Sequence, residues 1–308
     1  MTHSPIRLSR RAALVGGSAL PLATLPTLTN AAAHSAAPMN ARQNSFDLGS
    51  FKVATILAGT RAVEEPQTIF GMNVDAETFA EVSKENFIPA DKTQFFFTPT
   101  VVNTGSEVVL FDTGLNAAGT LPALADAGYA PEDVNVVVLT HMHGDHIGGL
   151  MNDGAATYAN ARYVTGQTEY EAWDAMDNDG FNNNVRPLAD KMTLINDGGV
   201  VASGITGLNA FGHTPGHMAY ILDSDGEQIV IMADTANHYV WSLAYPDWEV
   251  KFDMDKAQAA ATRRSLLDML ATDRIPLIGY HMPFPGIGYV ETRDSGFHYV
   301  PTSYQMML

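Results

Sequence analysis

Four side chains able to bind a metal stand within six residues in the run His141-Met142-His143-Gly144-Asp145-His146. A regular strand turns alternate side chains to one face, and a helix would scatter these four, so a tight loop is needed to gather them. Gly144 and the pair Gly148-Gly149 supply the backbone freedom for such a loop. Imidazoles and carboxylates at this density form a nitrogen and oxygen site suited to Zn, Mn, Fe or Co. One ion cannot take all of them and keep a position open for chemistry, whereas two adjacent ions can. The chain has no cysteine, so disulfides and thiolate zinc sites are excluded and imidazole and carboxylate must supply every ligand.

Further residues of this kind close apolar runs elsewhere. Glu107–Phe111 delivers Asp112, Val134–Thr140 delivers His141, and residues 208–212 deliver His213. Gln228–Ala233 delivers Asp234, and Ile275–Tyr280 delivers His281. Ligand sites in α/β sheets form at the carboxyl ends of strands, so these runs predict one shared site.

The elements that must position them read as alternating strands and helices, the pattern of an α/β fold. Strands are expected at 51–57, 94–102, 107–111 and 134–139, rich in β-branched and aromatic residues. Residues 120–128 read as a helix with Thr120 as N-cap, Pro122 in its first turn and Gly128 at its end. Residues 167–176 are helix-like, and an Asp225-Gly226 turn joins strands at 218–222 and 228–232. The longest helix is expected from about Asp255 to Leu270, burying Ala257, Ala260, Ala261, Ser265, Leu267 and Met269 or Leu270 and exposing Arg263, Arg264 and Asp268. A buried strand at 275–280 and a terminal hairpin within 288–300 complete the pattern.

The formal charge of -17 argues against a nucleic-acid partner, which is held mainly by Lys and Arg, and against anionic membrane surfaces. Ser9-Arg10-Arg11, a mild apolar run over 12–25 and the small residues Ala31 to Ala37 match an export signal of twin-arginine type. At ~14 residues that run is too short to span a membrane, which takes about 20. Residues 1–37 are therefore expected to be a signal and cleavage region, 38–308 a catalytic domain, and the location periplasmic or secreted.

The stretch Thr140-His141-Met142-His143-Gly144-Asp145-His146-Ile147-Gly148-Gly149 resembles the hallmark of the metallo-β-lactamase superfamily, and the other strand-end residues follow in that superfamily's order. Val102–Gly105, Ala127–Glu132, Gly212–His217 and especially His281–Gly288 resemble the branch of methyl parathion hydrolase and quorum-quenching lactonases. The resemblance implies an αβ/βα four-layer sandwich holding two divalent metal ions, Zn foremost. It places His141, His143 and His213 on one metal, Asp145, His146 and His281 on the other, and Asp234 between them. Asp112 would support a ligand from behind, because metal-bound imidazoles donate their other N–H to such a group. A homodimer is also implied.

Other candidates have plainer readings. Asp112-Thr113-Gly114 has no second triplet to make an aspartic-protease pair, and the Asp177-Asn178-Asp179-Gly180 run does not fit an EF-hand frame. His217, His238 and His298 carry no spacing signal and read as structural. Thr214-Pro215-Gly216 reads as a turn. Trp173, Phe181 and Phe95-Phe96-Phe97 are candidate walls of an apolar substrate pocket, although such aromatics are as often core.

Water between two cations loses a proton near pH 7, its pKa falling from ~15.7 to about 7, and becomes the nucleophile. No Gly-x-Ser-x-Gly elbow offers another. Asp145 or Asp234 would pass a proton to the leaving group. The expected reaction is cleavage of a small-molecule lactone or ester. A phosphotriesterase is the alternative, and a β-lactamase or a non-catalytic metal-binding protein are further ones. A redox di-iron enzyme is disfavoured, because such relatives carry a carboxylate where His143 stands.

Overall fold

The computed structural model describes residues 42–303. The expected export signal lies outside the described residues. Among those described, no helix is long and apolar enough to cross a membrane.

Two seven-stranded sheets form the domain, and in each the strands lie side by side in chain order. The first runs Gln43–Leu48, Phe51–Ile56, Thr100–Asn103, Val108–Phe111, Val136–Leu139, Arg162–Gly166 and Met192–Ile195, its last four strands parallel. The second runs Val200–Ala202, Ile205–Asn209, Met218–Ser224, Glu227–Ala233, Leu277–Gly279, Ile287–Arg293 and Gly296–Pro301. Its only parallel pair among the described strands is Glu227–Ala233 with Leu277–Gly279.

Alternation along the strands builds the layers, because successive side chains of a strand face opposite ways. Val136 and Val138 enter the core between the sheets, while Val137 and Leu139 face outward. Ile229 and Ile231 likewise point inward, and Val230 and Met232 outward. Helices Ala117–Asp126 and Gln167–Asp174 cover the first sheet through Leu124 and Trp173. Helix Lys256–Asp273 covers the second through Leu266, Leu267 and Leu270. Helix, sheet, sheet and helix make the four layers that the sequence resemblance implied. Truncating a fully buried side chain such as Leu267 to Ala would cost about 2–5 kcal/mol, since the layers cannot close over the gap.

Several element boundaries differ from the sequence reading for local reasons. The expected strand 94–102 is two strands, Lys92–Phe97 and Thr100–Asn103. Pro99 has no N–H to donate, so the ladder breaks there and the first piece pairs instead with Gly59–Glu64. The helix expected to start at Thr120 begins at Ala117, because Asn116 Oδ1 caps it by accepting from Gly119 N at 2.9 Å. Thr120 Oγ1 instead donates to Thr113 O at 2.6 Å. The expected Asp-Gly turn is present, with Asp225 and Gly226 at φ 55 and 86.

The longest helix buries Leu267 and Leu270 as expected, but its buried face is otherwise rotated. Its buried residues are Ala259, Arg263, Leu266, Leu267 and Leu270. Arg263, placed by the sequence reading on the polar face, is 1% exposed. A buried guanidinium demands partners, and these lead to the site described next.

Candidate metal centre

The five carboxyl-end residues meet the His141–His146 loop. Asp112 directly follows Val108–Phe111, and Asp234 directly follows Glu227–Ala233. His141 and His281 each stand two residues past their strands, and His213 four past Ile205–Asn209. Asp112 and Ala233 hold positive φ of 60 and 44, unfavourable for side-chain-bearing residues and recurrent at functional sites. At Ala233 a register shift between Ile231 and Ala233 turns the chain so that Asp234 leaves the ladder.

The loop closes as one helical turn, Gly144–Ile147, after His143. Gly148 and Gly149 press against the neighbouring backbone: a Cβ on Gly148 would lie 2.1 Å from Leu115 O, and one on Gly149 would lie 2.1 Å from Thr113 O. No larger residue fits. Gly144, by contrast, faces open space, so the loop does not need it for room.

All seven side chains expected to hold metal converge. Three subsets each present ligand atoms within 4.8 Å of one another: His141, His143 and His213; His141, His146 and Asp234; and Asp145, His146 and His281. His143 Nδ1 lies 2.9 Å from His213 Nε2 and 3.1 Å from His141 Nε2. Asp234 Oδ2 lies 3.3 Å from His213 Nε2 and 3.2 Å from His281 Nε2, and so stands between the first and third groups. Asp145 Oδ2 is 3.3 Å from His281 Nε2.

A test of whether these residues fit a cation is whether their polar atoms are otherwise satisfied. His146 Nε2 and Asp234 Oδ1 are buried without a hydrogen-bond partner, although they lie 3.3 Å apart. Leaving such atoms unpaired costs about 1–3 kcal/mol each, more for charged groups. Both belong to one of the ligand clusters, with His141. The donor set fits a cation.

Electrostatics divide the cage. Burial and neighbouring imidazoles push His141 well below the usual histidine range, and burial with His213 brings His143 to about 3. Burial also opposes charge on His281, but Asp234 and Asp145 outweigh it and hold that ring at about 10. His146 is likewise raised against its burial by Asp234 and Asp112. Burial pushes Asp145 up, yet His146 and His281 prevail and set it near about 2. Asp234 is held well below the carboxylate range by His281 and His146, again against burial.

Outer partners fix three of the rings. Asp112 Oδ2 accepts from His146 Nδ1 at 2.8 Å and from Thr140 Oγ1 at 2.8 Å, while its Oδ1 accepts from Thr140 N at 2.9 Å. His281 Nδ1 donates to Phe96 O at 2.8 Å, and Phe95 and Phe97 stand edge-on to its ring. His213 Nδ1 donates to Asp253 Oδ1 at 2.9 Å. Asp253 Oδ2 in turn takes Arg263 Nη2 at 2.7 Å, and Arg263 Nε and Nη1 donate to Thr235 O and Pro246 O. Asp253 and Arg263 escaped sequence reasoning. The available signal was an arginine inside the 259, 266, 267, 270 apolar stripe.

Glu169 was missed too. Fully buried, it accepts from Met142 N at 2.9 Å, Thr214 Oγ1 at 2.8 Å and Gly216 N at 2.8 Å, tying the two ligand loops together. Asn237 Nδ2 donates to Asp234 Oδ2 at 2.7 Å. His217 is structural, as expected: its Nδ1 meets Ala210 O at 3.1 Å and its Nε2 accepts from Asp234 N at 3.1 Å.

The expected pocket walls divide. Trp173 stands edge-on to His143, ring centroids 5.8 Å apart, and backs the cage. Phe181 is a correction: it is fully buried in the core below the first sheet, against Tyr170, where it packs as core and not as an exposed wall. The Asp177–Gly180 run is a helix start, Asn178 Oδ1 accepting from Phe181 N. The open side of the cage is marked by His143 and Asp145, both partly exposed, while the other ligands are buried. Leu115, Phe252 and Met254 are exposed apolar residues near the cage: Leu115 O abuts Gly148, Phe252 packs on Phe95, and Met254 N donates to His213 O.

Comparison with known proteins agrees with this architecture. The sequence pattern of the Metallo-beta-lactamase superfamily matches residues 98–278, more than half of the chain, and the chain belongs to that superfamily. N-acyl homoserine lactonases of Bacillus sp. and Bacillus cereus are 29% and 28% identical over 115 residues. That stretch is 37% of this chain and spans 43% of the length of each relative. Among solved structures, the dizinc quorum-quenching lactonase AidC superposes with TM-score 0.78 at 23% identity, covering 85% of this chain and 97% of AidC. AbOPH, a hydrolase of the β-lactamase superfamily, superposes with TM-score 0.76 at 25% identity, covering 85% of this chain and 98% of its own.

Proposed function

We propose that this chain is a dinuclear metal hydrolase that opens a lactone or cleaves an ester of a small molecule. The observation that carries the reading is the convergence of His141, His143, Asp145, His146, His213, Asp234 and His281 around the unpaired atoms of His146 and Asp234. Seven ligands exceed what a closed structural site of four uses, and leave room for water and substrate. The partial similarity to N-acyl homoserine lactonases supports a lactone over other acyl compounds. Zinc is the proposed metal, on the imidazole-rich donor set and the likeness to a dizinc enzyme.

Two bound cations would supply Lewis acidity, acidifying water and stabilising negative charge on oxygen. The residues of this chain orient and exclude. Asp112 and Asp253 fix the rings of His146 and His213 from behind. Asp234 is enclosed by His146, His213, His281 and Asn237, so its carboxylate stays in place. Asp145 alone among the carboxylates of the cage reaches the open side, its side chain 22% exposed, and we assign it the transfer of a proton to the departing alkoxide. Apolar Leu115, Phe252 and Met254 suit a substrate with a hydrocarbon part.

The test is a rate panel on zinc-quantified protein, with an N-acyl homoserine lactone, an aryl ester, a phosphotriester and a β-lactam side by side. The reading expects the lactone or the ester to be turned over fastest. Faster phosphotriester or β-lactam cleavage would replace it, and inertness towards all in a protein holding both zinc ions would make the site non-catalytic.

A further inference from the structure

His238 lies four residues past Asp234, carried no signal in the sequence, and is 8% exposed. Its Nδ1 accepts from the backbone N–H groups of Val240 and Trp241, both at 3.1 Å. A ring nitrogen that accepts in this way carries no hydrogen, so the neutral imidazole bears its proton on Nε2. Burial disfavours a second proton and takes the group down to about 3. Trp241 and Tyr239 stack on the ring at 4.2 and 4.7 Å. The backbone here is a π-helical turn, Tyr239–Ala244, in which Leu243 N donates to His238 O at 2.9 Å, and Ser242 Oγ accepts from His238 N at 2.9 Å. The ring is thus held in one tautomer and one orientation.

Among the described residues Nε2–H has no acceptor. The ring borders a cavity of about 440 Å³ shared with His281 of the cage and with the apolar side chains of Ile88, Phe96 and Trp241. The cavity is largely apolar, although Glu64, Lys92 and Gln94 also line it, and a fixed neutral donor on such a wall, beside His281 of the cage, is what orients a polar group of a bound ligand. We propose that His238 is a substrate-positioning residue whose Nε2–H donates to a neutral carbonyl oxygen of the bound lactone or ester, in the cavity it shares with His281. The proposal rests on the acyl-hydrolase reading above for the identity of that oxygen.

Two variants of the full zinc-loaded protein separate positioning from structural support. In His238→Asn the side-chain oxygen can replace Nδ1 as acceptor for Val240 and Trp241, but the distant donor is lost. In His238→Gln the amide nitrogen reaches towards the Nε2 position, and the acceptor is lost. With N-hexanoyl homoserine lactone as probe, His238→Asn is expected to keep its melting temperature and raise KM about tenfold, with kcat within about twofold, the effect of one hydrogen bond. His238→Gln is expected to melt lower yet keep KM within about threefold. An unchanged KM in His238→Asn, or equal rises in both variants, overturns the proposal. If the lactone is not cleaved but phenyl acetate is, the lactone reading fails and the same comparison is made on phenyl acetate. Independently of turnover, the His238 Nε2 resonance of ¹⁵N-histidine-labelled protein is expected to shift on saturation with the ring-opened N-hexanoyl-homoserine. A resonance that does not move overturns the assignment.

Discussion

The two halves of the cage are built differently. His141, His143 and His213 form a cluster of imidazoles with no carboxylate of their own except Asp234, and burial keeps His141 and His143 neutral. Asp145, His146 and His281 form a mixed cluster in which both rings are raised above the ordinary histidine range, His281 to about 10. Support differs as well. His146 leans on Asp112 and His281 on a backbone carbonyl, whereas His213 leans on Asp253, itself paired with Arg263 of the outer helix. His141 and His143 arrive ready for a cation, whereas His146 and His281 hold protons in the cation's place. The cage thus pairs rings whose charge neighbouring carboxylates balance with rings that burial keeps neutral.

The largest expected effect comes from removing a ligand of the neutral half. His143→Ala should abolish turnover and lower the bound metal per chain, measured by elemental analysis alongside rate. Full activity in that variant would remove this half from the site.

Next is the long-range support. Arg263 is buried against Asp253, and Arg263→Ala leaves that carboxylate with only His213. Breaking a buried pair from one side costs about 3–5 kcal/mol, so the urea midpoint should fall accordingly. A loss under about 1 kcal/mol would show that Arg263 does not hold the neutral half together.

The two carboxylate supports then give a matched pair. Asp253→Ala should weaken zinc binding to the neutral half and Asp112→Ala to the mixed half, each by roughly 10–100-fold. Titration calorimetry should find one of two zinc steps weakened in each variant, and a different step in each. Weakening of both steps by either change would mean that the halves are not separable.

The smallest effect is a matter of protons. At pH 7 the mixed half retains protons that zinc must displace, because its carboxylates hold His281 at about 10 and raise His146 well above the usual histidine range, while burial leaves His141 and His143 with none to lose. Zinc uptake by metal-free protein should therefore release at least about one proton on filling the mixed half, seen as a buffer-dependent enthalpy. Affinity there should rise with pH from 7 towards about 10, where His281 loses its proton. A buffer-independent enthalpy for both steps would contradict the division.

Much of this was legible in the sequence, for physical reasons that also mark where legibility ends. The His141–His146 ligands are neighbours in the chain, so their density alone declares a site. Asp112, Asp234 and His281 stand at the ends of apolar runs that must be strands, and strand ends of an α/β sheet converge. Arg263 and Asp253 were hidden because their meaning depends on contacts across 10 and 40 residues, and an arginine on a helix reads as surface until its partners are known. Glu169 reaches Thr214 across 45 residues, and nothing near it in the chain announces that bond. Phe181 misled because an aromatic near ligands and an aromatic in the core look alike before burial is known. His238 lacked any pattern, since its fixed tautomer comes from a π-helical turn that spacing does not reveal.

The most direct test of the central claim is an anomalous difference map from crystals of the protein grown with zinc. The account predicts two peaks about 3.5–4 Å apart, one against His141, His143 and His213, the other against Asp145, His146 and His281, with Asp234 touching both. A single peak, or zinc held outside these seven residues, would contradict it.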